Sequence, residues 1–303
     1  MSRGRRVLIL GAAGQLGREL QRSFSGTGEL VCFDRKSLDV ADVGRLREAI
    51  RDSEPDVILN AAAYTAVDRA EQERAAAMAA NADAPGVMAE EARRRDSLLV
   101  HYSTDYVFDG TKSEPWVETD EPRALNVYGE SKLAGERAVR SVGGKYLTFR
   151  TSWVYGPHGK NFLLTMLRLG RERERLTVVD DQIGAPTSSI AIAEATRAIV
   201  DGVLDGRHGE TAAWAGVYHM TCAGSTSWCG FAKAIFARAG ERPGGRVPEV
   251  VPIATKDYPT PARRPANSVL SNEKLERRFG VRLPQWEAAL DEVIARLEEQ
   301  ANS

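Results

Sequence analysis

A glycine-rich turn between an apolar run and an amphipathic segment is the feature that most limits how this chain can fold. Residues 7–10 are continuously apolar, glycines follow at positions 11, 14 and 17, and apolar residues then recur at helical spacing to position 24. A strand, a tight turn and a helix in this order open a βαβ unit, whose backbone amides can hold a pyrophosphate at the helix N-terminus. Because the same glycine spacing is common in ordinary loops, its meaning depends on the rest of the chain.

Apolar runs and helical patterns continue to alternate along the first half of the chain. The apolar runs lie at residues 30–33, 57–59, 98–100 and 146–149, and the helical patterns lie at residues 46–50, 75–92 and 126–139, the second of them broken near Pro85. Strands that are apolar on both faces and alternate with helices form a parallel sheet covered on both sides. We therefore predict an α/β fold with a Rossmann-type doubly wound parallel sheet, whose ligands bind at the C-terminal ends of the strands.

The pattern loosens after Tyr155. Residues 156–157 and 181–186 are typical of loops, residues 190–203 of a helix, residues 217–220 of a strand and residues 290–297 of an amphipathic helix, and prolines accumulate between positions 243 and 265. Such a proline-rich stretch favours a loop-rich binding region. We predict an NAD(P)-binding domain over residues 1–156, which takes back about residues 187–221, and a smaller C-terminal substrate-binding domain formed by the remaining parts of 157–303.

Composition and charge exclude several classes of protein. The chain has 303 residues, of which 43% are hydrophobic and 27% charged, as is usual for a soluble globular protein. The formal net charge of -1, with basic clusters interleaved with acids, argues against a nucleic-acid partner. The apolar run at residues 7–10 is too short for a signal peptide or a membrane span. We therefore expect no membrane partner. Three cysteines without metal-like spacing favour a reduced, cytoplasmic protein.

Tyr128 and Lys132 are four residues apart in the helix predicted at 126–139. In a helix this spacing puts both side chains on one face, where the cation can lower the pKa of the phenol from its usual value of about 10. The same spacing also occurs on ordinary solvated helices. Ser103 and Thr104 follow the fourth strand, and a hydroxyl pair there either binds a carbonyl group or caps a helix.

Asp34 follows the second strand, 17 residues after Gly17. An acid near this distance from the glycine turn reaches the adenosine ribose hydroxyls of a dinucleotide. A simple turn residue is the alternative. Arg35 beside it could instead bind a 2′-phosphate, so the residues leave both NADPH and NADH open as cofactors.

These residues, in this order, resemble the extended short-chain dehydrogenase/reductase family, whose pattern combines the glycine turn, a strand-end Ser/Thr and Tyr-x-x-x-Lys. Longer strings at residues 14–17, 60–68, 102–108, 126–136, 150–155, 181–187 and 260–265 are similar to the dTDP-4-dehydrorhamnose reductases. The resemblance implies NAD(P)H-dependent reduction of the 4-keto group of dTDP-4-dehydro-L-rhamnose to dTDP-L-rhamnose. A reductase or epimerase of another nucleotide sugar and a non-catalytic regulatory subunit of the same fold are the alternatives.

The resemblance also assigns roles to individual positions. It implies that Tyr128 donates the proton, that Lys132 binds the nicotinamide ribose and lowers the pKa of Tyr128, and that Thr104 binds the carbonyl. The implied cofactor-binding residues are Gly11, Gly14, Gln15, Leu16, Gly17, Asp34, Asp39, Val40, Ala62, Ala63, Tyr64, Thr65, Tyr128 and Lys132. The implied substrate-binding residues are Ser103, Thr104, Asp105, Trp153 against the sugar, Gln182 at the pyrimidine edge, and Arg263 and Arg264 at the diphosphate.

Assembly is the point at which the sequence departs from some members of the family. The resemblance implies that those members form dimers in which glutamates bind a bridging magnesium ion. Glu19 matches one of the glutamate positions. Ile190 and Arg296 occupy the other two. Hard cations require several oxygen ligands. We therefore expect no metal site, and either a monomer or a homodimer without a metal bridge.

Overall fold

The computed structural model describes residues 4–240 and 247–301. The strands are β1 (Arg6–Leu10), β2 (Glu29–Phe33), β3 (Val57–Asn60), β4 (Leu98–Thr104), β5 (Tyr146–Thr151), β6 (Val154–Tyr155), β7 (Arg175–Val179), β8 (Ile183–Gly184), β9 (Thr187–Ser188), β10 (Gly216–His219), β11 (Thr226–Ser227) and β12 (Glu249–Ile253). The α-helices are α1 (Gln15–Phe24), α2 (Val43–Ser53), α3 (Val67–Ala70), α4 (Arg74–Met78), α5 (Ala84–Arg95), α6 (Val127–Val142), α7 (Phe162–Glu172), α8 (Ser189–Leu204), α9 (Thr211–Trp214), α10 (Trp228–Gly240), α11 (Glu273–Phe279) and α12 (Trp286–Ala301). None of these helices is long and apolar enough to cross a membrane.

Six of the strands form a central parallel sheet in the order β2-β1-β3-β4-β5-β10. Along β1, Val7 and Ile9 join one apolar cluster and Leu8 and Leu10 join another, because successive side chains point to opposite faces of the sheet. The sheet is therefore covered on both faces, and the predicted α/β, doubly wound Rossmann-type fold is confirmed. The strand order reverses between β1 and β3, where such sheets leave a crevice at their C-terminal edge.

The helix that carries Tyr128 begins at a well-defined cap. The side chain of Asn126 accepts a hydrogen bond from the Gly129 amide at 2.8 Å, which satisfies one of the free amides of the first turn of α6. The amide group of the same side chain donates to the carbonyl of Arg263 at 2.7 Å. The start of α6, and Tyr128 with it, is therefore fixed to a distant segment of the chain.

The helix expected at residues 75–92 is more irregular than the sequence indicates. Helix α4 runs into a π-turn over Ala79–Asp83, and α5 follows directly. Pro85 lies at the start of α5, and in a regular α-helix its ring would clash with the carbonyl of residue i−4, which is Asn81 inside the π-turn. The irregularity lies before the proline.

Asn81 lies inside this π-turn and is fully buried. Its side chain accepts from the Tyr64 amide at 2.8 Å and donates to the Tyr64 carbonyl and to the Ser131 hydroxyl, both at 3.0 Å. A Cβ on Gly135 of α6 would lie only 2.0 Å from the Asn81 carbonyl oxygen. The π-turn is thus packed directly against the helix that carries Tyr128 and Lys132.

The second half of the chain contains short strands that the sequence did not predict. The region at 243–265 is not all loop, since β12 pairs with β7 in parallel, and the loop expected at 181–186 contains β8, which pairs with β11. The prediction of a loop at 181–186 is wrong at β8, whereas residues 254–265 are loop-rich as expected, apart from a short 3₁₀ turn. Short strands such as β8 and β12 are stabilised by distant partners more than by their own residues. Pro243 lies outside the described residues. The two-domain division stays a prediction, although β10 joins the central sheet beside β5.

Candidate active site

The glycine turn is shaped by contacts that leave no room for side chains. Gly11 has φ +78°, and a Cβ there would lie 2.6 Å from the Ala62 amide nitrogen; a Cβ on Gly17 would lie 2.2 Å from the Gly11 carbonyl oxygen. Gly14 precedes α1 and provides no side-chain cap. The first amides of α1 are therefore available to an anion, and the close approach of backbone to backbone suits a bound pyrophosphate.

A cleft of about 360 Å³ adjoins this turn. It is lined by seven of the predicted cofactor-binding residues, Gly11, Gly14, Asp39, Val40, Ala62, Ala63 and Tyr64, and by residues that sequence reasoning missed, such as Leu38 and Ala80. Arg35 also lines the cleft and lies 3.6 Å from the Asp39 carboxylate. Small apolar walls with one cation at the rim are suited to a flat, anionic nucleotide.

Other predicted cofactor residues lie around the same turn in different environments. Asp34 is half-buried, and its Oδ1 atom accepts from the Lys36 amide and from the amide and hydroxyl of Ser37, which lowers its pKa and makes it a turn residue in this structure. The Gln15 side chain accepts from Asn161 at 2.8 Å. Leu16 packs partly buried against the core, and Thr65 is exposed after β3. Asp34 at the ribose stays a prediction.

Thr104 and Tyr128 meet at the C-terminal end of β4. A hydrogen bond with Thr104 lowers the pKa of Tyr128, but burial acts in the opposite direction and raises that pKa to about 12. The Tyr106 ring packs edge-on against Tyr128, with 5.6 Å between the ring centroids. The phenol is thus protonated at neutral pH, which is the state that a proton donor requires.

Lys132 lies one turn further along α6 and is almost completely buried. Its Nζ atom donates to the carbonyl oxygen of Tyr102 at 2.5 Å, and burial lowers the pKa of the ammonium to about 8. The sequence led us to expect that Lys132 lowers the pKa of Tyr128, but in this structure burial raises that pKa and the opposing hydrogen bond comes from Thr104.

The residues on either side of Thr104 are both buried but differ in their contacts. Asp105 accepts from the Thr104 hydroxyl at 2.8 Å, and burial raises its pKa to about 6. Its Oδ2 atom has no hydrogen-bond partner in the described part of the chain. The Ser103 hydroxyl donates to Glu136 at 2.5 Å, so this predicted substrate ligand is engaged inside the protein.

The predicted sugar-binding residues come from segments that meet beside Asp105. Trp153 has φ +46°, which is rare for a side chain of this size, and its ring stacks on Trp228 with 3.5 Å between centroids. Gly184 makes this possible, because a Cβ there would lie 2.5 Å from the Trp153 ring. Gln182 is buried and donates to the Thr255 hydroxyl at 3.0 Å. Sequence reasoning missed Trp228, which carries no motif of its own.

The two predicted diphosphate ligands are not equivalent. Arg264 donates to both carboxylate oxygens of Asp68, at 3.1 and 2.8 Å, whereas Arg263 is exposed. Asp68 also accepts from the Ala262 amide, so it organises the whole 262–264 segment. Sequence reasoning missed this role, although Asp68 ends the string at 60–68 that carried the resemblance.

Comparison with known proteins gives this arrangement a context. Residues 5–299 match the family described as the RmlD substrate binding domain. A dTDP-4-dehydrorhamnose reductase of Burkholderia thailandensis is 53% identical over 292 residues, covering 94% of this chain and 96% of the relative. The chain belongs to the dTDP-4-dehydrorhamnose reductase family. The enzyme of Salmonella typhimurium is 43% identical over 96% of this chain and 97% of its own length.

Solved structures of reductases from the same family have the same fold. The enzyme of Bacillus anthracis in complex with NADP superposes with a TM-score of 0.87 at 36% identity, covering 96% of this chain and 99% of that one. The ortholog from Clostridium acetobutylicum gives a TM-score of 0.88 at 38% identity, covering 97% and 99%. Coverage of nearly the whole of each chain shows that the family match is not confined to the glycine turn.

The glutamate that suggested a metal-bridged reductase dimer has protein partners here. Glu19 is buried, accepts from Arg22 at 3.1 Å and lies 3.5 Å from the His158 ring. Within residues 4–240 and 247–301, no group of three His, Cys, Asp or Glu side chains could hold a metal ion. The absence of a metal in solution stays a prediction.

Proposed function

We propose that the protein reduces the 4-keto group of dTDP-4-dehydro-L-rhamnose to dTDP-L-rhamnose with NADPH or NADH. The observation that carries the proposal is the pairing of Thr104 with a protonated Tyr128 at the C-terminal end of β4, on the same edge of the sheet as the crevice between β1 and β3. Membership of a reductase family narrows the chemistry of that pair from proton transfer in general to reduction of a keto sugar.

The residues of the chain divide the work of such a reduction. The bound cofactor supplies the hydride. Tyr128 transfers its proton to the carbonyl oxygen. The Thr104 hydroxyl, which donates its single hydrogen to Asp105 in this structure, turns that hydrogen to the carbonyl oxygen and holds that oxygen in line. Lys132 holds the nicotinamide ribose, with its Nζ atom anchored on the Tyr102 carbonyl.

The glycine turn and the adjoining cleft support binding of the cofactor. Gly11 and Gly17 allow the close backbone approach that a pyrophosphate needs, and the uncapped α1 supplies free amides. Arg35 supplies a cation for a 2′-phosphate, which supports use of NADPH, and the related enzyme of Bacillus anthracis is in complex with NADP. Asp34 at the ribose supports use of NADH, so both cofactors belong in the assay.

The segments beside Asp105 support binding of a nucleotide sugar. Trp153 offers an aromatic face to the apolar face of a deoxysugar, and Gln182 offers an amide to a pyrimidine. Arg263 and Arg264 supply cations for the diphosphate, because a guanidinium donates two parallel hydrogen bonds to phosphate oxygens. In this structure Asp68 holds the Arg264 guanidinium through both terminal nitrogens, which fixes its position in the 262–264 segment.

The direct test follows NADPH oxidation with dTDP-4-dehydro-L-rhamnose. Tyr128→Phe should lose about 10²–10⁴-fold in kcat with NADPH affinity retained, because the ring stays and only the hydroxyl that carries the transferred proton is removed. Tyr258→Phe, at an exposed tyrosine, is the matched control and should be fully active. A loss of less than about 10-fold in Tyr128→Phe would refute the assignment of Tyr128 as the proton donor.

Binding of dTDP, UDP and GDP separates the alternatives. A preference for dTDP supports the proposal, whereas a preference for UDP or GDP would point to a reductase or epimerase of another nucleotide sugar. Cofactor binding without turnover on any 4-keto sugar nucleotide would point to a non-catalytic regulatory subunit. An intact Thr104, Tyr128 and Lys132 set favours the enzyme.

Compartment and assembly are part of the same proposal. We propose that the enzyme works in the cytoplasm, which the unpaired cysteines Cys32, Cys222 and Cys229 support. We also propose a monomer or a homodimer without a metal bridge. Gel filtration with and without EDTA tests the latter, and a shift to a smaller species on adding EDTA would contradict it.

A further inference from the structure

A buried group of three hydrogen-bonded polar side chains adjoins the proposed proton-transfer site. Ser103 donates to Glu136 at 2.5 Å, and Arg150 donates to both oxygens of the same carboxylate, at 2.9 and 2.7 Å. Each of the three residues is only 4% exposed. Ser103 of β4 and Arg150 of β5 are partners in the sheet register, one step before the Thr104 and Thr151 pair. Hydrogen bonds thus fix this group of three side chains in place, and the group adjoins Thr104.

Glu136 lies one helical turn after Lys132, just as Lys132 lies one turn after Tyr128. Side chains four apart on a helix are neighbours, so the buried carboxylate and the buried ammonium lie on the same face of α6. Burial lowers the pKa of Lys132 to about 8, and the negative charge of Glu136 acts against this and raises it. The ammonium would otherwise lose its proton within the physiological pH range.

The other groups around Lys132 do not supply this negative charge. On β4, His101 is fully buried with its pKa held well below its usual value by burial and by Lys132, so it is neutral. The Tyr102 carbonyl accepts from Lys132 but carries no net charge. On β5, Arg150 is itself cationic. Tyr128, on the same helix, is protonated, and Asp105 adjoins Thr104 and Tyr128.

We propose that Glu136 is a positioning residue of the reductase, which keeps Lys132 charged for the nicotinamide ribose while Ser103 and Arg150 hold its carboxylate in place. The inference rests on the proposed function for the role of Lys132. Glu136 shares α6 with Lys132 whereas Arg150 lies on β5, so the carboxylate is the member of the ion pair that lies one helical turn from Lys132. Ser103 is then a support of this carboxylate, and its contact with substrate is not required.

The test compares Glu136→Gln, the double variant Glu136→Gln/Arg150→Met and the unchanged protein. NADPH affinity and kcat/KM are each measured against pH. Removing one charge should move the alkaline limb of both profiles down by about 1 unit or more, because charges a few ångströms apart shift a pKa by that amount. The double variant should shift in the same direction, because Glu136, and not Arg150, is the charge that acts on Lys132.

Two features keep this test decisive. Glu136→Gln leaves Arg150 buried and unpaired and so can fail to fold, but the double variant removes both charges, a change that buried ion pairs often tolerate. Glu130→Gln is the matched control, because Glu130 lies on the same helix but is exposed and pairs with Arg74 at 2.6 Å. Its alkaline limb should coincide with that of the unchanged protein.

An unshifted alkaline limb in the folded double variant would overturn the inference, since a purely structural role lowers stability without moving the limb. NADPH binding needs no sugar substrate, so the inference and the proposed function fail separately. A shifted binding profile without turnover of dTDP-4-dehydro-L-rhamnose would support the role of Glu136 and refute the proposed reaction. Turnover that depends on Tyr128, together with unshifted pH profiles, would support the proposed reaction and refute the role of Glu136.

Discussion

The two halves of the proposed site are built in different ways. The cofactor half is made largely of main chain near the start of the sequence, in the turn at Gly11 to Gly17, the start of α1 and the loop after β3, and Ala76 and Ala80 complete its cleft. The substrate half is made of side chains from Asp105, Trp153, the 182–184 segment and the 262–268 segment, which meet across the whole length of the chain. One half depends on backbone shape and the other on long-range side-chain pairing.

Glycine residues in the two halves show this difference most clearly. A Cβ on Gly11 would meet backbone atoms of Ala61 and Ala62, whereas a Cβ on Gly184 would meet the ring of Trp153. Backbone in the centre of a sheet cannot move aside, but a side chain can rotate or repack at moderate cost. We therefore expect changes in the cofactor half to be severe and changes in the substrate half to be graded.

The largest effect is expected for Gly11→Ala. The new Cβ would lie 2.6 Å from the Ala62 nitrogen at φ +78°, so NADPH affinity should fall about 100-fold or more, which is about 2.8 kcal/mol. Gly26→Ala is the matched control, because Gly26 has φ +79° with nothing within 4 Å of its Cβ position. It should cost about 1 kcal/mol of stability and leave affinity intact in a fluorescence titration. Equal losses in both variants would contradict the steric account.

Asp105 should give the substrate half a pH dependence of its own. Its pKa is raised from 3.8 to about 6 by burial, so the stability it contributes is full below about pH 4 and is lost as pH rises through 6. Relative to Asp105→Asn, the unchanged protein should lose about 2–3 kcal/mol of unfolding free energy between pH 4 and pH 7 in urea titrations.

The control for this prediction is Asp109, whose contribution to stability should depend on pH in the opposite direction. Hydrogen bonds from Thr111 lower the pKa of Asp109, so that carboxylate contributes stability above its ordinary pKa and loses it as pH falls. Asp109→Asn should therefore lose stability relative to the unchanged protein at neutral pH. The same pH slope in both variants would show that burial of Asp105 does not control the effect.

Gly184→Ala should have an intermediate effect. The added Cβ would lie 2.5 Å from the Trp153 ring and displace it from its stack on Trp228, so KM for the nucleotide sugar should rise about tenfold, or about 1.4 kcal/mol. NADPH affinity should not change. Gly86→Ala, whose Cβ would lie an ordinary 3.4 Å from Ala138, controls for helix and backbone effects. A loss of cofactor affinity in Gly184→Ala would erase the distinction between the two halves.

The smallest effect is expected for Arg263→Gln. Because this guanidinium is exposed, solvent screens it, and KM should rise only about threefold, with a weaker dependence on salt. Arg207→Gln removes an equally exposed charge at a distant site and should leave KM unchanged. A rise above about tenfold would mean that Arg263 is buried against the diphosphate when substrate binds.

The cofactor half is also the half that the sequence predicts. Gly11, Gly14 and Gly17 are required by local backbone geometry, and such a requirement produces a short motif that can be recognised in the sequence. Tyr128 and Lys132 share one helix, so their spacing alone places them together. The apolar runs predict the central sheet for the same reason.

The substrate half depends on partners that no local pattern reveals. Asp68 and Arg264 form an ion pair although they lie 196 positions apart, and Trp228 stacks on Trp153 from a different helix. Strand β12 was missed because its partner β7 lies far away in sequence. Ser103 and Thr104 look equivalent as a sequence, and their different partners, Glu136 and Asp105, follow from packing.

The π-turn over Ala79–Asp83 has a consequence for how the length of this chain can vary. Each residue of an α-helix turns it by about 100°. Deleting one residue from the wide turn would restore a regular helix and rotate α5 by that angle relative to α4. The side chain of Asn81 would leave Tyr64 and Ser131, and Gly135 would face a different atom. Surface loops tolerate insertions and deletions, but this short stretch should not. Its length sets the rotation of α5 and so the position of the side chains that pack against α6.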